Sequence, residues 1–360
     1  MKKRTGEIEF LRFVFCLFVI MFHCNQKIFR QFSPDRFDYT WAPHGYIGVE
    51  FFFILSGFFL AVRLAKINYD NTPKSKLGKT YFQIIWHKYI SVFPYHLLAF
   101  VPLFVLDNHL KGDYTFDKLL RVLPGLFLVQ RTGINSYNVN GVEWYISAML
   151  VAMAVIIPFA VKYKEVYFRY AAPVIAVLVY GYLIREFKTI SDSSAWTSIG
   201  YRCVWRAVAG INLGIFAYQC TQKLKKYNYS KAERTTAFFV RYILFAVTAL
   251  YMLSTITKKF EIYIVFVIFI ATLLTFVFPI QNKIFQNNLV LFLGRMSLPM
   301  YLNQLLAVSI VKEYVKIHSH FKTFAVVCAI DFAVSVLCLF VGDLIKKQLF
   351  KTRLNKMIDE

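Results

Sequence analysis

An arginine and a histidine lie eleven positions apart in the first apolar stretch of the chain, as Arg12 and His23. If this stretch is helical, eleven residues rise about 16 Å, roughly half the hydrocarbon core of a bilayer. This spacing suits a charged anchor at one mouth of a site and a proton-accepting group deeper inside it. Ionisable groups are costly in hydrocarbon, so those retained there are candidates for function. A plainer interpretation stays open, in which Arg12 extends to the lipid headgroups and His23 lies at the opposite interface.

A second apolar stretch opens with an acid. The run from Gly48 to Gly57 reads GVEFFFILSG and contains Glu50. We expect Glu50 in the outer part of its span, at about the depth of His23. A histidine is suited to general-base catalysis near neutral pH, and a neighbouring carboxylate can fix its tautomer. We therefore predict His23 and Glu50 as a catalytic pair.

Three further stretches carry polar groups into apolar windows. The run GVEWYIS holds Glu143, Trp144 and Tyr145, although aromatic residues at a helix start are often an interface belt, and Glu143 can simply cap its helix. The run WHKYISVFPYH contains Lys88. The general excess of basic residues at the cytoplasmic ends of membrane helices would also explain this lysine. The run LGRMSLPMYLNQ places Asn303 one turn inside its window, where amides also serve as hydrogen-bond links between helices.

Composition decides the class of protein. The chain has 360 residues, of which 58% are hydrophobic, 18% aromatic and only 17% charged. This profile is too apolar for a soluble domain of that length and predicts an all-α, polytopic membrane protein with about ten transmembrane helices. The short apolar piece Leu119–Val129 is interrupted by Pro124 and Gly125, so we interpret it as interfacial or re-entrant. The ten windows are 10–28, 46–65, 88–106, 143–161, 170–186, 201–219, 238–256, 262–279, 297–315 and 323–345.

Basic residues predict the orientation. Lys and Arg are in excess in the segments that face the cytoplasm if the N-terminus is inside, and ten spans return the C-terminus to the same side. The first window lacks a small-residue cleavage site, so we interpret it as a retained helix. The net charge of +22 then reflects topology and contact with membrane lipids, and no basic soluble module for nucleic acid is visible. We expect a multi-pass protein of the plasma membrane with both termini cytoplasmic.

The six cysteines show no CxxC spacing, so the sequence predicts no metal site and no disulfide framework. No internal repeat and no appended soluble domain is visible. We expect a single transmembrane domain over residues 1–360, which is also compatible with a homo-oligomer.

Together these runs resemble acyltransferase family 3, the integral membrane O-acyltransferases. The first helix matches the family's Arg, ten residues, His pattern, and the run from Gly48 to Gly57 resembles its GV(D/E)xFFxxSG signature. The segment from Trp144 to Ser147 resembles the aromatic start of a later span, and GRMSLPMYL resembles the late GxxSxxxYL motif. Two positions depart from the pattern: the second basic residue of an RxxR motif is Ser91, and a histidine of the late motif is replaced by Asn303 and Gln304.

The resemblance implies transfer of an acyl group, usually acetyl, from cytoplasmic acyl-CoA to a hydroxyl of a cell-surface or secreted polysaccharide. Acetyl-CoA is then the donor substrate, no cofactor is bound permanently, and the acceptor is a glycan or a lipid-linked sugar. His23 would be the catalytic base or a covalent acyl carrier, with Glu50 beside it. Arg12 and Lys88 are the main candidates for contacts with the CoA phosphates, supported by Arg63 and Arg295. The predicted substrate contacts are Glu143, Trp144, Tyr145, Ser56 and Asn303.

Two other functions stay open at this stage. A transporter or flippase of glycan intermediates would also use buried charges, and Asp331, midway along the last window, would be its coupling residue. It predicts paired repeats or broken spans, which the sequence does not show. A non-catalytic membrane partner of a glycan-assembly complex would not need Arg12, His23 and Glu50 together.

Overall fold

The computed structural model describes residues 6–29, 41–69, 73–112, 115–134, 136–191, 194–280, 284–315, 317 and 319–351. The chain is 82% helical, and the described residues form no strand. The predicted all-α membrane architecture is therefore confirmed. The first five residues and residues 352–360, which bear on the predicted orientation of the termini, lie outside the described ranges.

Eleven helices run through the described residues, and short 3-10 turns lead into three of them. The turns Gly45–Ile47, Gly141–Glu143 and Lys258–Phe260 precede α2, α5 and α9. The helices are α1 (Gly6–Cys24), α2 (Gly48–Leu64), α3 (Lys74–Lys111), α4 (Phe116–Leu126), α5 (Trp144–Lys162), α6 (Ala172–Phe187), α7 (Arg202–Leu224), α8 (Lys231–Leu253), α9 (Glu261–Val277), α10 (Asn288–Tyr314) and α11 (His320–Lys351).

Each of the ten predicted windows overlaps one of these helices. Eight helices are long and apolar enough to cross a membrane, so the predicted count of ten is approximate. The two remaining windows correspond to α1 and α7. Both are helical and carry charged residues, including Glu9 and Arg12 in α1 and Arg206 in α7.

Helices α3 and α11 are longer than a membrane span, and α4 is shorter than one. Helix α3 has 38 residues and contains Pro94 and Pro102, and α11 has 32 residues. At 1.5 Å per residue they measure about 57 and 48 Å, longer than a hydrocarbon core of about 30 Å. Helix α4 has 11 residues, too few to span, as predicted for the short apolar piece.

Two glycines allow α2 and α7 to touch backbone to backbone. A methyl group at Gly57 would lie 2.0 Å from the carbonyl oxygen of Ile211, and one at Gly214 would lie 2.1 Å from the carbonyl oxygen of Ile54. Small residues at such crossings let membrane helices approach closely. This contact places the start of α2, with Glu50, beside α7.

Candidate functional site

A cavity of about 300 Å³ lies between α1, α2, α3, α5 and α10. Helix α2 lines it from Phe52 to Arg63, and eleven residues of helix correspond to about 16 Å. We call this space the central cavity. Arg12, Arg63 and Lys88 form its basic part, and Phe52, Tyr145 and Tyr301 form its aromatic end.

Three of the four predicted cations converge on the central cavity. Arg63 contacts His87 of α3, with Nη2 and Nδ1 3.0 Å apart, and Lys88 follows directly on the same helix. Within the part of the chain that the structure describes, Lys88 has no ion-pair partner. The structure does not bring Arg295 to the cavity, because its guanidinium pairs with Asp343 of α11. That aspartate also accepts a hydrogen bond from Tyr95.

Arg12 is held by a carboxylate of its own helix. Its Nη1 lies 3.2 Å from Oε2 of Glu9, and the arginine side chain remains 30% exposed. Gly294 makes room for this acid, since a methyl group there would lie 2.3 Å from the Glu9 Cβ. The guanidinium is therefore oriented while its other nitrogens remain available to an anion.

The rings of Phe52, Tyr145 and Tyr301 form the aromatic end. The ring centroids of Tyr145 and Tyr301 are 5.6 Å apart, and Phe52 lies 6.2 and 6.3 Å from them. The Tyr145 hydroxyl lies 3.2 Å from Oγ of Ser56, so these two predicted substrate contacts line the cavity together. The Tyr301 hydroxyl donates to the carbonyl of Val142 at 2.9 Å, which fixes the position of that ring.

His23 is held by Gln304, which follows Tyr301 by three residues on α10. Its Nδ1 is 3.0 Å from the carbonyl oxygen of Val19 and 3.0 Å from Oε1 of Gln304. The amide is oriented because its Nε2 donates to the carbonyl of Tyr301 at 2.6 Å. Both oxygens are acceptors, so Nδ1 carries the proton and the lone pair is on Nε2. Among the described residues nothing bonds to Nε2, and this is the tautomer that a general base requires.

The structure does not bring Glu50 to His23, in contrast to the expected hydrogen-bonded pair. Glu50 is fully buried, accepts a hydrogen bond from Tyr180 of α6 and forms an ion pair with Arg206 of α7. A buried carboxylate needs a cation, and the close crossing of α2 and α7 supplies Arg206. Arg206 also donates to the carbonyl of Tyr46 at 2.8 Å.

Glu143 is paired inside the protein and does not line the central cavity. Its Oε1 lies 3.1 Å from Nδ1 of His96, and both side chains are at most 1% exposed. His96 Nε2 donates to the carbonyl of Leu126 at 2.9 Å, which orients the imidazole ring. The pair joins α3 to the start of α5, just ahead of Tyr145. In this arrangement Glu143 is a structural neighbour of the cavity.

Trp144 and Asn303 are also outside the cavity lining. The Arg206 guanidinium lies 5.2 Å from the Trp144 ring centroid, in cation–π geometry. Asn303 is fully buried, and its amide donates to the carbonyl of Pro299 at 3.0 Å and lies 3.5 Å from Oγ of Ser335 on α11. These contacts agree with the interpretation of Asn303 as a hydrogen-bond link between helices.

Sequence reasoning missed Arg206, His96 and the role of Gln304. Arg206 lies in the window 201–219, so the argument applied to Glu50, an ionisable group in an apolar window, would have found it. The contact of Gln304 with His23 joins positions 281 residues apart and has no local signal. Within the described ranges, no three His, Cys, Asp or Glu side chains are arranged to hold a metal ion.

The helices that are long and apolar enough to cross a membrane define the class of the protein as that of helical membrane proteins. A family model described as an acyltransferase domain, that of acyltransferase family 3, matches residues 5–343. The chain therefore belongs to this family, and the resemblance drawn from the sequence is confirmed over nearly its whole length. No curated protein and no solved structure matches the chain.

Proposed function

We propose that this membrane acyltransferase moves an acetyl group from cytoplasmic acyl-CoA to a hydroxyl of a cell-surface or secreted polysaccharide. One observation carries the proposal. The central cavity presents Arg12, Arg63 and Lys88 in its basic part, and its aromatic end includes Tyr301, whose carbonyl accepts a hydrogen bond from Gln304, the residue that holds His23. Such a cavity suits a long donor that has phosphates at one end and a thioester at the other.

The donor's phosphates would lie in the basic part. Arginine presents a planar fork that can chelate a phosphate, whereas lysine offers a point charge, and CoA has several phosphates to match. The orientation that places this part at the cytoplasmic face follows from the excess of Lys and Arg on that side. On this orientation the aromatic end and His23 lie toward the outer face, where the acceptor would arrive.

His23 would act as the base. Its Nε2 accepts the proton of the acceptor hydroxyl, the hydroxyl oxygen attacks the thioester carbonyl, and the carbon–sulfur bond then breaks. The thiolate takes this proton back from Nε2 and leaves as CoA thiol, so His23 is neutral again and atoms and charge balance. Gln304 and the Val19 carbonyl accept from Nδ1–H and would stabilise the imidazolium that forms between these steps.

The same Nε2 lone pair also suits the second role predicted for His23, that of a covalent acyl carrier. In that case the acyl group passes from the thioester to Nε2 and then to the hydroxyl. Both routes need Nδ1 to hold the proton, which the contacts with Val19 and Gln304 provide.

The acceptor is a hydroxyl on a sugar of a glycan or a lipid-linked sugar, and the plasma membrane is the site of action. Both statements rest on what membership of the family implies and on the membrane-spanning helices. Asp331, the residue of the transporter alternative, is fully buried and accepts a hydrogen bond from Ser335 at 3.3 Å. No further observation favours transport.

The test is mass spectrometry of surface and secreted glycans from cells that express the wild-type chain, the His23→Ala variant or neither. We expect the mass increment of acetyl esters with the wild type alone, at equal membrane abundance of the two proteins. Purified protein should in addition release more than one CoA thiol per protein molecule from acetyl-CoA only when an acceptor is present. Unmodified glycan at unchanged yield would refute acyl transfer to polysaccharide, and a loss of glycan export would indicate transport instead.

A further inference from the structure

The aromatic end of the central cavity lies next to the residues that hold His23. Gln304, which holds His23, is three residues beyond Tyr301 on α10, a rise of about 4.5 Å. Tyr301 and Tyr145 are at most 9% exposed and pack edge to face. The three rings therefore line the part of the cavity nearest the residues that hold His23, where the thioester of a donor bound at the basic part would lie.

The cavity is elongated along α2. It extends over about 16 Å from Arg63 to Phe52, and most of its lining side chains between these residues are apolar. An elongated space of this kind suits the pantetheine arm of CoA. A thioester delivered by this arm would bring its acyl group against Phe52, Tyr145 and Tyr301, so a longer acyl chain would meet these rings.

We propose that Phe52, together with Tyr145 and Tyr301, sets the acyl-chain length that the enzyme accepts. The inference rests on the proposed function and adds the residues that determine donor specificity. Tyr301 is fixed by its bond to Val142 and Tyr145 by its contact with Ser56, so both rings resist displacement. Phe52 has no polar anchor and is half-buried, so it is the ring whose removal lengthens the cavity with the least disturbance.

The experiment compares purified wild-type protein with Phe52→Ala and with the milder Phe52→Leu. Each is assayed with acetyl-, propionyl- and butyryl-CoA, and kcat/KM is measured for each donor. One methylene in an apolar pocket changes kcat/KM by roughly 10- to 200-fold. We expect the butyryl-to-acetyl ratio to rise at least about tenfold in Phe52→Ala and by less in Phe52→Leu.

Phe59 offers a matched control on the same helix. It lines the same cavity about two turns nearer Arg63 and is 52% exposed. Phe59→Ala should leave the butyryl-to-acetyl ratio at the wild-type value, whatever it does to the overall rate. Tyr145→Phe keeps the ring, removes the hydroxyl and should also preserve the ratio.

The outcomes separate the two proposals. A wild-type protein that transfers no acyl group from any of the three donors refutes the proposed function, and with it this inference. Transfer by the wild type combined with an unchanged ratio in both Phe52 variants refutes the inference alone. An equal change in Phe59→Ala would also refute it, because the effect would then not belong to the aromatic end.

Discussion

Arg206 and Glu50 form a buried ion pair between α7 and α2, with side chains that are 1% and 0% exposed. Tyr180 donates a hydrogen bond to the same carboxylate, and the Tyr46 carbonyl accepts one from the arginine. The charge of Glu50 is thereby neutralised by a residue other than His23. The ion pair ties α2, which lines the central cavity, to α7.

Removing one partner of this pair should destabilise the protein. We expect Glu50→Gln or Arg206→Gln to lower the free energy of unfolding by about 3–5 kcal/mol, because each leaves the other charge buried alone. The double variant should recover much of this loss, since no uncompensated charge remains. Thermal inactivation in detergent and membrane abundance would measure the effect.

The specific activity per folded molecule decides what Glu50 does in the reaction. If the pair only positions helices, the folded double variant should transfer acyl groups at close to the wild-type rate. A stable, folded Glu50→Gln protein with a rate lowered by orders of magnitude would instead establish the predicted catalytic role of Glu50.

His23→Ala should abolish acyl transfer, because the reaction requires the lone pair on Nε2. Membrane abundance should stay normal. His109, an exposed histidine near the end of α3, provides the control. We expect His109→Ala to retain wild-type transfer. The proposal for His23 would be untenable if His23→Ala were as active as this control.

Gln304→Leu should slow transfer by about five- to tenfold. This corresponds to the loss of one hydrogen bond that contributes roughly 1 kcal/mol or slightly more. The effect stays modest because the Val19 carbonyl continues to accept from Nδ1. The 15N chemical shifts of His23 should show a smaller population of the Nδ1-protonated tautomer. Gln304→Glu keeps an acceptor at this position and should preserve the tautomer. A tautomer that does not change in Gln304→Leu would contradict the assigned role of the amide.

Arg12→Ala should weaken acyl-CoA binding by roughly ten- to a hundredfold, which corresponds to the loss of a charge-assisted contact of about 1.5–3 kcal/mol. Arg12→Lys should be worse than Lys88→Arg, because only the guanidinium can chelate phosphate. Binding to detergent-solubilised protein would be measured by calorimetry. Arg295→Ala is the control and should leave binding unchanged, since Arg295 pairs with Asp343 outside the cavity. Unchanged binding in Arg12→Ala would place the donor elsewhere.

Local patterns of hydropathy and charge were sufficient to predict the helices and part of the candidate site. Apolar windows identify membrane helices because the bilayer imposes both their length and their composition, and every predicted window contains a helix. Arg12, Lys88 and Arg63 could be grouped in advance because the positive-inside pattern places them at one face, and all three line the cavity. Arg295 shares that pattern and was grouped with them, but its partner on α11 could not be predicted.

The sequence by itself determined the all-helical membrane architecture, the family and the basic residues of the cavity, because each is written in hydropathy, charge or short motifs. Only the tertiary structure decided that Glu50 pairs with Arg206, that Glu143 pairs with His96 and that Gln304 orients His23. These contacts depend on which helices cross and in which register, as at Gly57 and Gly214. In hydrocarbon a polar side chain bonds to whatever partner the neighbouring helix presents, and spacing along one helix does not reveal that partner.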